Sequence, residues 1–160
     1  MKIAIGADHG GVHMKEAIKN HLLAQGIEVE DFGTYGTESV DYPDIAQVVA
    51  RNVVDKKSDF GILICGTGIG ISIAANKIKG VRAALCTNEY CGRICRHHND
   101  ANILCLGERV MGVEVAKSVT DAFLSADFDG GRHQQRVDKI HGLEQNNYNK
   151  YVKRTKKEKV

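Results

Sequence analysis

The chain has 160 residues, 42% hydrophobic and 26% charged, which suits one domain with a core of its own and excludes both a disordered chain and a membrane protein. No apolar run approaches the roughly 18 residues of a membrane span, and Met1-Lys2-Ile3-Ala4-Ile5-Gly6 reads straight into a strand with no signal-peptide pattern, so secretion is not expected. The formal charge of +2 belongs to residues 150–160, where six Lys/Arg meet one acid; residues 1–149 hold 16 basic and 19 acidic side chains, which removes any global case for nucleic-acid binding.

In chain order, Lys2–Gly6 is the first predicted strand. Val12–Gln25 follows as a helix, with Met14, Ala17, Ile18 and Leu22 on one face and Gly26 ending it. Ile27–Phe32 is a second strand. After a loop over 33–43, Asp44 is expected to cap a helix with Ile45, Val48, Val49 and Val53 inward. Phe60–Cys65 is nearly all apolar, as a central strand covered on both faces would be. It leads through Gly66-Thr67-Gly68-Ile69-Gly70 into a helix over Ile71–Lys77. Arg82–Cys86 is a strand, Glu89–Arg96 a short helix and Asn102–Leu106 a fifth strand. Val113, Ala116, Val119 and Phe123 mark a helix, and Val137, Ile140 and Leu143 a last one leaving the domain body.

Such alternation predicts an α/β protein, a parallel five-stranded sheet with helices on both faces, as one domain over 1–149 followed by a solvated basic tail over 150–160. Ligands of these sheets bind at the carboxyl ends of the strands. That rule points to Ala7–Gly11, to Cys65–Ser72, and to the loops near His97–Asn99 and Gly107–Arg109.

The five cysteines (65, 86, 91, 95 and 105) are odd in number and match no disulfide framework, so they read as reduced thiols of a cytoplasmic protein. Cys65 is the most informative. A glycine-rich turn between strand and helix exposes backbone N–H groups to an anion. A dinucleotide fingerprint would need glycine where Ile71 stands, and a P-loop would need a lysine before Lys77. What remains is a phosphate or oxyanion nest with a thiol at its edge, and a buried structural cysteine beside a tight turn stands equally open.

Asp8-His9-Gly10-Gly11 reads either as a helix cap and turn or as a carboxylate and imidazole able to move protons or hold an anion. Cys91, Cys95 and one histidine could be imagined as a zinc site, but no second ligand pair at finger spacing follows, and the two cysteines fit better as small core residues. Arg132 and Arg136, four apart, share one helix face and could grip one anion, or form a solvated basic face. Arg109 could be a third cation.

Taken in order, Asp8-His9-Gly10-Gly11, Ser39–Asp44, Cys65–Gly70, His98–Asn102, Gly107–Arg109 and Gly130–Arg136 closely resemble the ribose-5-phosphate isomerase B family, which includes the galactose-6-phosphate isomerase subunits. The resemblance covers residues 1–145. It implies a Rossmann-like three-layer α/β/α sandwich and a homodimer or dimer of dimers whose active sites are shared between subunits. It implies interconversion of D-ribose 5-phosphate and D-ribulose 5-phosphate through ring opening and a cis-enediolate, without metal or organic cofactor. By resemblance Cys65 is the base, and some relatives use a glutamate a few residues later, which this chain lacks. His98 is the ring-opening acid/base, with Thr67 or Asp8 assisting. His9, Arg109, Arg132 and Arg136 hold the phosphate. Asp8, Tyr42 and Asn99 bind sugar hydroxyls, and the amides of Gly66, Gly68, Gly70 and Ser72 hold the oxyanion. A six-carbon aldose 6-phosphate, such as that of allose or galactose, is the alternative substrate, and a non-catalytic phosphate- or nucleotide-binding module the alternative class. Partners other than a sugar phosphate and a second copy, such as nucleic acid or a membrane, are not expected.

Overall fold

The computed structural model describes residues 1–145; the basic tail at 150–160 lies outside them. Five parallel strands alternate with six helices: β1 (Lys2–Ala7), α1 (Val12–Ala24), β2 (Glu28–Asp31), α2 (Tyr42–Val54), β3 (Phe60–Cys65), α3 (Ile69–Ala75), β4 (Ala83–Leu85), α4 (Glu89–Asn99), β5 (Ile103–Gly107), α5 (Val113–Leu124) and α6 (Arg132–Glu144). The sheet order is β2-β1-β3-β5-β4. Among the described residues no helix is long and apolar enough to cross a membrane.

The two-residue period of the strands divides the core. Ile3, Ile5, Ile62, Ile64, Leu104 and Leu106 face α1, α4 and α5, where they meet Met14, Ile18, Leu22, Val119 and Phe123. Ala4, Leu63, Cys65, Ile103 and Cys105 face the other way, onto Val49, Val53 and Ile71 of α2 and α3. The result is a three-layer α/β/α sandwich of the Rossmann-like class.

After β1 the chain adds β2 on one side and β3 on the other, so the strand order reverses between β1 and β3, with α1 and α2 on opposite faces. A crevice opens at such a switch point, beyond the carboxyl ends of the two strands. The register pairs Ala7 with Ile64 and Cys65 with Gly107, which brings the loops after β1, β3 and β5 to one edge.

All five strands and six helices agree with the sequence pattern, and several details do not. α2 begins at Tyr42 with Asp41 as N-cap, so Asp44 sits in the first turn; Pro43 is tolerated there because the N–H it lacks would have no helical partner. The buried stripe of α2 is Ala46, Val49, Ala50 and Val53, and Val48 lies off it, 47% exposed. α1 is preceded by Gly11 rather than capped by Asp8. α3 starts two residues earlier than expected, its first turn closed by the Ser72 amide donating to the carbonyl of the N-cap Gly68 at 3.2 Å, and Gly70 in that turn leaves room for the Tyr42 ring. Cys91 is exposed while Cys95 is buried, so only one of the pair is a core residue. α6 does not leave the body: it packs on α4, buries Val137 and places His141 Nε2 2.8 Å from Arg82 Nη1.

A buried ion pair shapes the β1–β2 edge. The Lys15 side chain has no exposure, and its ammonium lies 2.7 Å from both carboxylate oxygens of Asp31. Asp31 also accepts from Lys19 and from the Gly33 amide, and Gly33 and Thr34 in turn bond Ala7, so the pair anchors the loop beside the end of β1. Burial pushes the Asp31 carboxyl up, but its bonds to Lys15, Lys19 and Gly33 outweigh this and hold it below the usual range. A carboxylate depressed in the folded state contributes stability that is present above its unfolded pKa and lost as pH falls through its lower folded value. Asp31→Asn is expected to cost about 3 kcal/mol in urea unfolding at pH 7, since it leaves the Lys15 charge buried without its main partner. The same variant should show a flatter loss of stability on acidification below about pH 4.

Candidate active site

At the carboxyl edge, the loop from β3 into α3 turns at Gly68, whose φ of 76° is open to glycine and strained for other residues. That turn aims the Gly68 amide back at Cys65, donating to Sγ at 3.1 Å. Cys65 itself is 5% exposed, at the end of a central strand. A backbone N–H directed at sulfur favours the anion, which is the form of a thiol that acts as a base or nucleophile. Cys105, two residues before the end of β5, is pushed well up by full burial and then by Cys65, so it stays protonated.

The neighbours close tightly around this loop. A methyl group on Gly10 would lie 3.1 Å from the Gly66 amide nitrogen, so the β1 loop touches the β3 loop with no side chain between them. A methyl on Gly66 would meet the Arg109 guanidinium at 3.2 Å, and one on Gly70 would meet the Tyr42 ring at 2.7 Å. The amides of Glu108 and Arg109 donate to the carbonyls of Cys65 and Gly66, tying the β5 loop to the β3 loop. Asp8 is buried, its Oδ1 accepting from Gly10 N at 2.9 Å. His9 Nδ1 accepts from the Val40 amide at 3.2 Å, which puts the proton of a neutral ring on Nε2 and leaves that N–H to donate. Thr67 Oγ1 accepts from Ile69 N, while the Ser72 hydroxyl is turned inward to the Ile69 carbonyl. Asp8, His9, Tyr42, Cys65–Gly70, Ser72 and Arg109 therefore form one cluster.

The remaining expected residues stand elsewhere. His97–Asn99 do not lie at the carboxyl ends of the strands: they form the last turn of α4, a helix that runs back against the sheet and hands the chain to the start of β5. That end is fixed by Asp100, which is in the left-handed region at φ 47° and bonds Arg96 at 2.7 Å and Arg82 at 3.0 Å. The length of β5, roughly 15 Å, separates His98 from the Cys65 edge. Arg132 and Arg136 are exposed on the first turns of α6, beside His98. The link is His133, between the two arginines in sequence, whose ring stacks on His98 at 4.1 Å and 9°. Burial, then neighbouring His98, Arg132 and Arg136, push the His133 imidazole down.

The second cluster thus holds His98, Asn99, Arg132, His133 and Arg136. Sequence reasoning passed over His133 and Asp129 here, and Glu108, whose Oε2 accepts the Met14 amide at the start of α1. No spacing signals these contacts, which join elements far apart in the chain. The imagined zinc set does not assemble: the Cys95 thiol donates to the Gly92 carbonyl and touches the Cys86 sulfur at 3.8 Å. Sharing that bond pushes Cys86 up and Cys95 down.

A family model described as Ribose/Galactose Isomerase matches residues 3–140. The chain is 52% identical over 144 residues to ribose-5-phosphate isomerase B of Escherichia coli strain K12, an alignment spanning 90% of this chain and 97% of that one. Its fold superimposes on the ribose-5-phosphate isomerase B of Clostridium thermocellum with a TM-score of 0.91 at 57% identity, over 91% of this chain and 99% of the other. It superimposes on the Mycoplasma genitalium enzyme with bound ribulose-5-phosphate with a TM-score of 0.86 at 44% identity, over 90% and 96% of the two chains.

Gly68→Ala should force the turn out of its left-handed conformation and remove the amide from Sγ. The expected outcome is slower alkylation of Cys65 by iodoacetamide at neutral pH, followed by peptide mass spectrometry, while exposed Cys91 reacts at an unchanged rate.

Proposed function

Since the chain belongs to the ribose/galactose isomerase family, we propose that it is a ribose-5-phosphate isomerase, interconverting D-ribose 5-phosphate and D-ribulose 5-phosphate. The observation that carries the reading is the Gly68 N–H aimed at the Cys65 sulfur, in a crevice at the strand-order switch.

The reaction opens the furanose, passes through a cis-enediolate, and moves one proton from C2 to C1 and a second from the C2 oxygen to the C1 oxygen. Cys65 takes the proton from C2 and returns it to C1. The Gly70 amide in the first turn of α3 lacks a helical partner and can meet the oxyanion, an interaction often worth ~3 kcal/mol per donor, whereas the Gly68 amide is turned to Cys65 Sγ and the Ser72 amide donates to the Gly68 carbonyl. His98 protonates the ring oxygen as the anomeric hydroxyl loses its proton, with Thr67 or Asp8 assisting. His9, Arg109, Arg132 and Arg136 hold the phosphate, and Asp8, Tyr42 and Asn99 hold sugar hydroxyls.

One small substrate cannot touch both clusters of a single chain when the length of β5 lies between them. A second copy related by a two-fold axis can bring its His98, Asn99, Arg132 and Arg136 to the Cys65 cluster of the first, and receive the same in return. Exposed apolar side chains around the Cys65 loop, Ile69 at 53%, Ile73 at 57% and Leu85 at 37%, give such a copy a surface to cover. The working unit is therefore a homodimer, alone or paired into a tetramer, with each site shared.

Cys65→Ala should lower kcat on ribose 5-phosphate by about 10²–10⁴-fold with KM little changed, because the base is separate from the phosphate clamp. Near-normal turnover would remove Cys65 as the base. Allose and galactose 6-phosphates should turn over more slowly than ribose 5-phosphate in the same assay, and EDTA should not lower the rate. Two inactive variants, Cys65→Ala and His98→Asn, unfolded and refolded together, should recover roughly a quarter of wild-type activity, since half of the random dimers carry one intact site. No recovery, with mixed dimers demonstrated by mass, would refute the shared site.

A further inference from the structure

We infer that His98, Asp129 and His133 form a binding site for a borderline divalent cation of the Zn²⁺ type, and that a cation held there switches off the isomerase by occupying the His98 nitrogen. The inhibitory consequence rests on His98 being the ring-opening residue; the binding itself does not.

The three side chains come from the end of α4, the loop after α5 and the first turn of α6. Each offers one ligand atom, and all three atoms lie within 4.8 Å of one another. Two imidazoles and a carboxylate, with a further coordination position left free by this chain, make a donor set suited to Zn²⁺. Asp129 is exposed, His98 half-buried and His133 buried, so the site has an open side and a closed one. Asp129 is already held in place: its Oδ1 lies 2.8 Å from His97 Nδ1, and its amide donates to the His97 carbonyl at 3.0 Å. Outer hydrogen bonds of this kind orient metal-binding carboxylates, and here the second oxygen remains for the cation.

Two features oppose binding and set its strength. A metal lies in the plane of an imidazole it binds, and the planes of His98 and His133 are parallel, so one ring has to swing. The torsion that turns a histidine ring is broad, and His98, the less buried, has the room to turn. Arg132 and Arg136 repel a cation, with Asp129 as the one carboxylate of the set to offset them, so affinity in the micromolar range is expected rather than the tighter binding of closed structural sites.

The test uses the full chain. Zn²⁺ is titrated in competition with a chromophoric chelator, Co²⁺ binding is followed by absorption, and isomerase activity is assayed alongside. One equivalent of micromolar Zn²⁺ is expected, with a Co²⁺ spectrum free of the thiolate-to-metal band that Cys65 or Cys91 would produce. Activity should fall with site occupancy and return on adding EDTA. Asp129→Asn should weaken binding by about tenfold or more and relieve inhibition while leaving basal activity intact; His133→Asn should weaken binding likewise. The site is overturned if wild type binds no Zn²⁺ in this range, if both variants bind as wild type does, or if Co²⁺ reports a thiolate ligand. Binding that both variants weaken, without loss of activity, overturns the inhibitory role alone. A chain with no isomerase activity in any condition would fail the functional reading, and the titration would still decide the site.

Discussion

A helix that joins two parallel strands has to run back against them, and this constraint governs the molecule. It sends the residue that ends β3 and the residues that end α4 to opposite edges of one sheet. Cys65 and His98 are therefore each rigidly held and far apart, the first by a central strand, the second by a helix whose last turn is pinned through Asp100 to Arg82 and Arg96. The proposed chemistry needs both groups at one substrate. Within the fold, no modest movement brings them together, because the strand between them is buried and fully paired. Two copies meeting edge to edge would resolve the conflict without deforming either.

The carboxyl edge is built for backbone rather than side-chain contact. The loops after β1, β3 and β5 approach so closely that a methyl group on Gly107 would collide with the Thr67 backbone, and one on Gly10 or Gly66 would crowd its neighbours. Close approach leaves amides as the main polar surface beside the sulfur, and amides are fixed dipoles that need no reorganisation when charge develops. Tyr42 and Arg109 then lie directly over Gly70 and Gly66, which places a hydroxyl and a guanidinium at the rim of the same nest. The buried Lys15–Asp31 pair contributes at one remove, since Asp31 orders the Gly33 loop that bonds the end of β1 next to Asp8.

The opposite edge is more charged and more open. Imidazoles, guanidinium groups and carboxylates crowd where α4 ends and α6 begins, and burial and neighbouring cations push the His133 imidazole down there. The stacking of His133 on His98 couples the proposed acid/base to a second ring, and with Asp129 it assembles donors that suit a metal as well as a proton. The edge proposed to hold a sugar phosphate for a second copy is thus also one at which a cation could compete.

The order of strands and helices was legible in the chain because burial is periodic. Ile62 and Ile64 alternate with Leu63 and Cys65, and Val49 and Val53 stand one helix turn apart, so each element announces its buried face. Glycine spacing around Cys65 likewise marked the tight turn between β3 and α3, since few other residues tolerate Gly68's backbone. Boundaries such as the start of α3, the exposure of Val48 and Cys91, and the seat of α6 on the body depended on neighbours far along the chain. So did the division of the site. Sequence motifs name which residue types are available, and their order says nothing about which strand end each one faces. Only the packed sheet, which fixes direction as well as order, separates Cys65 from His98 and sets His133 against His98.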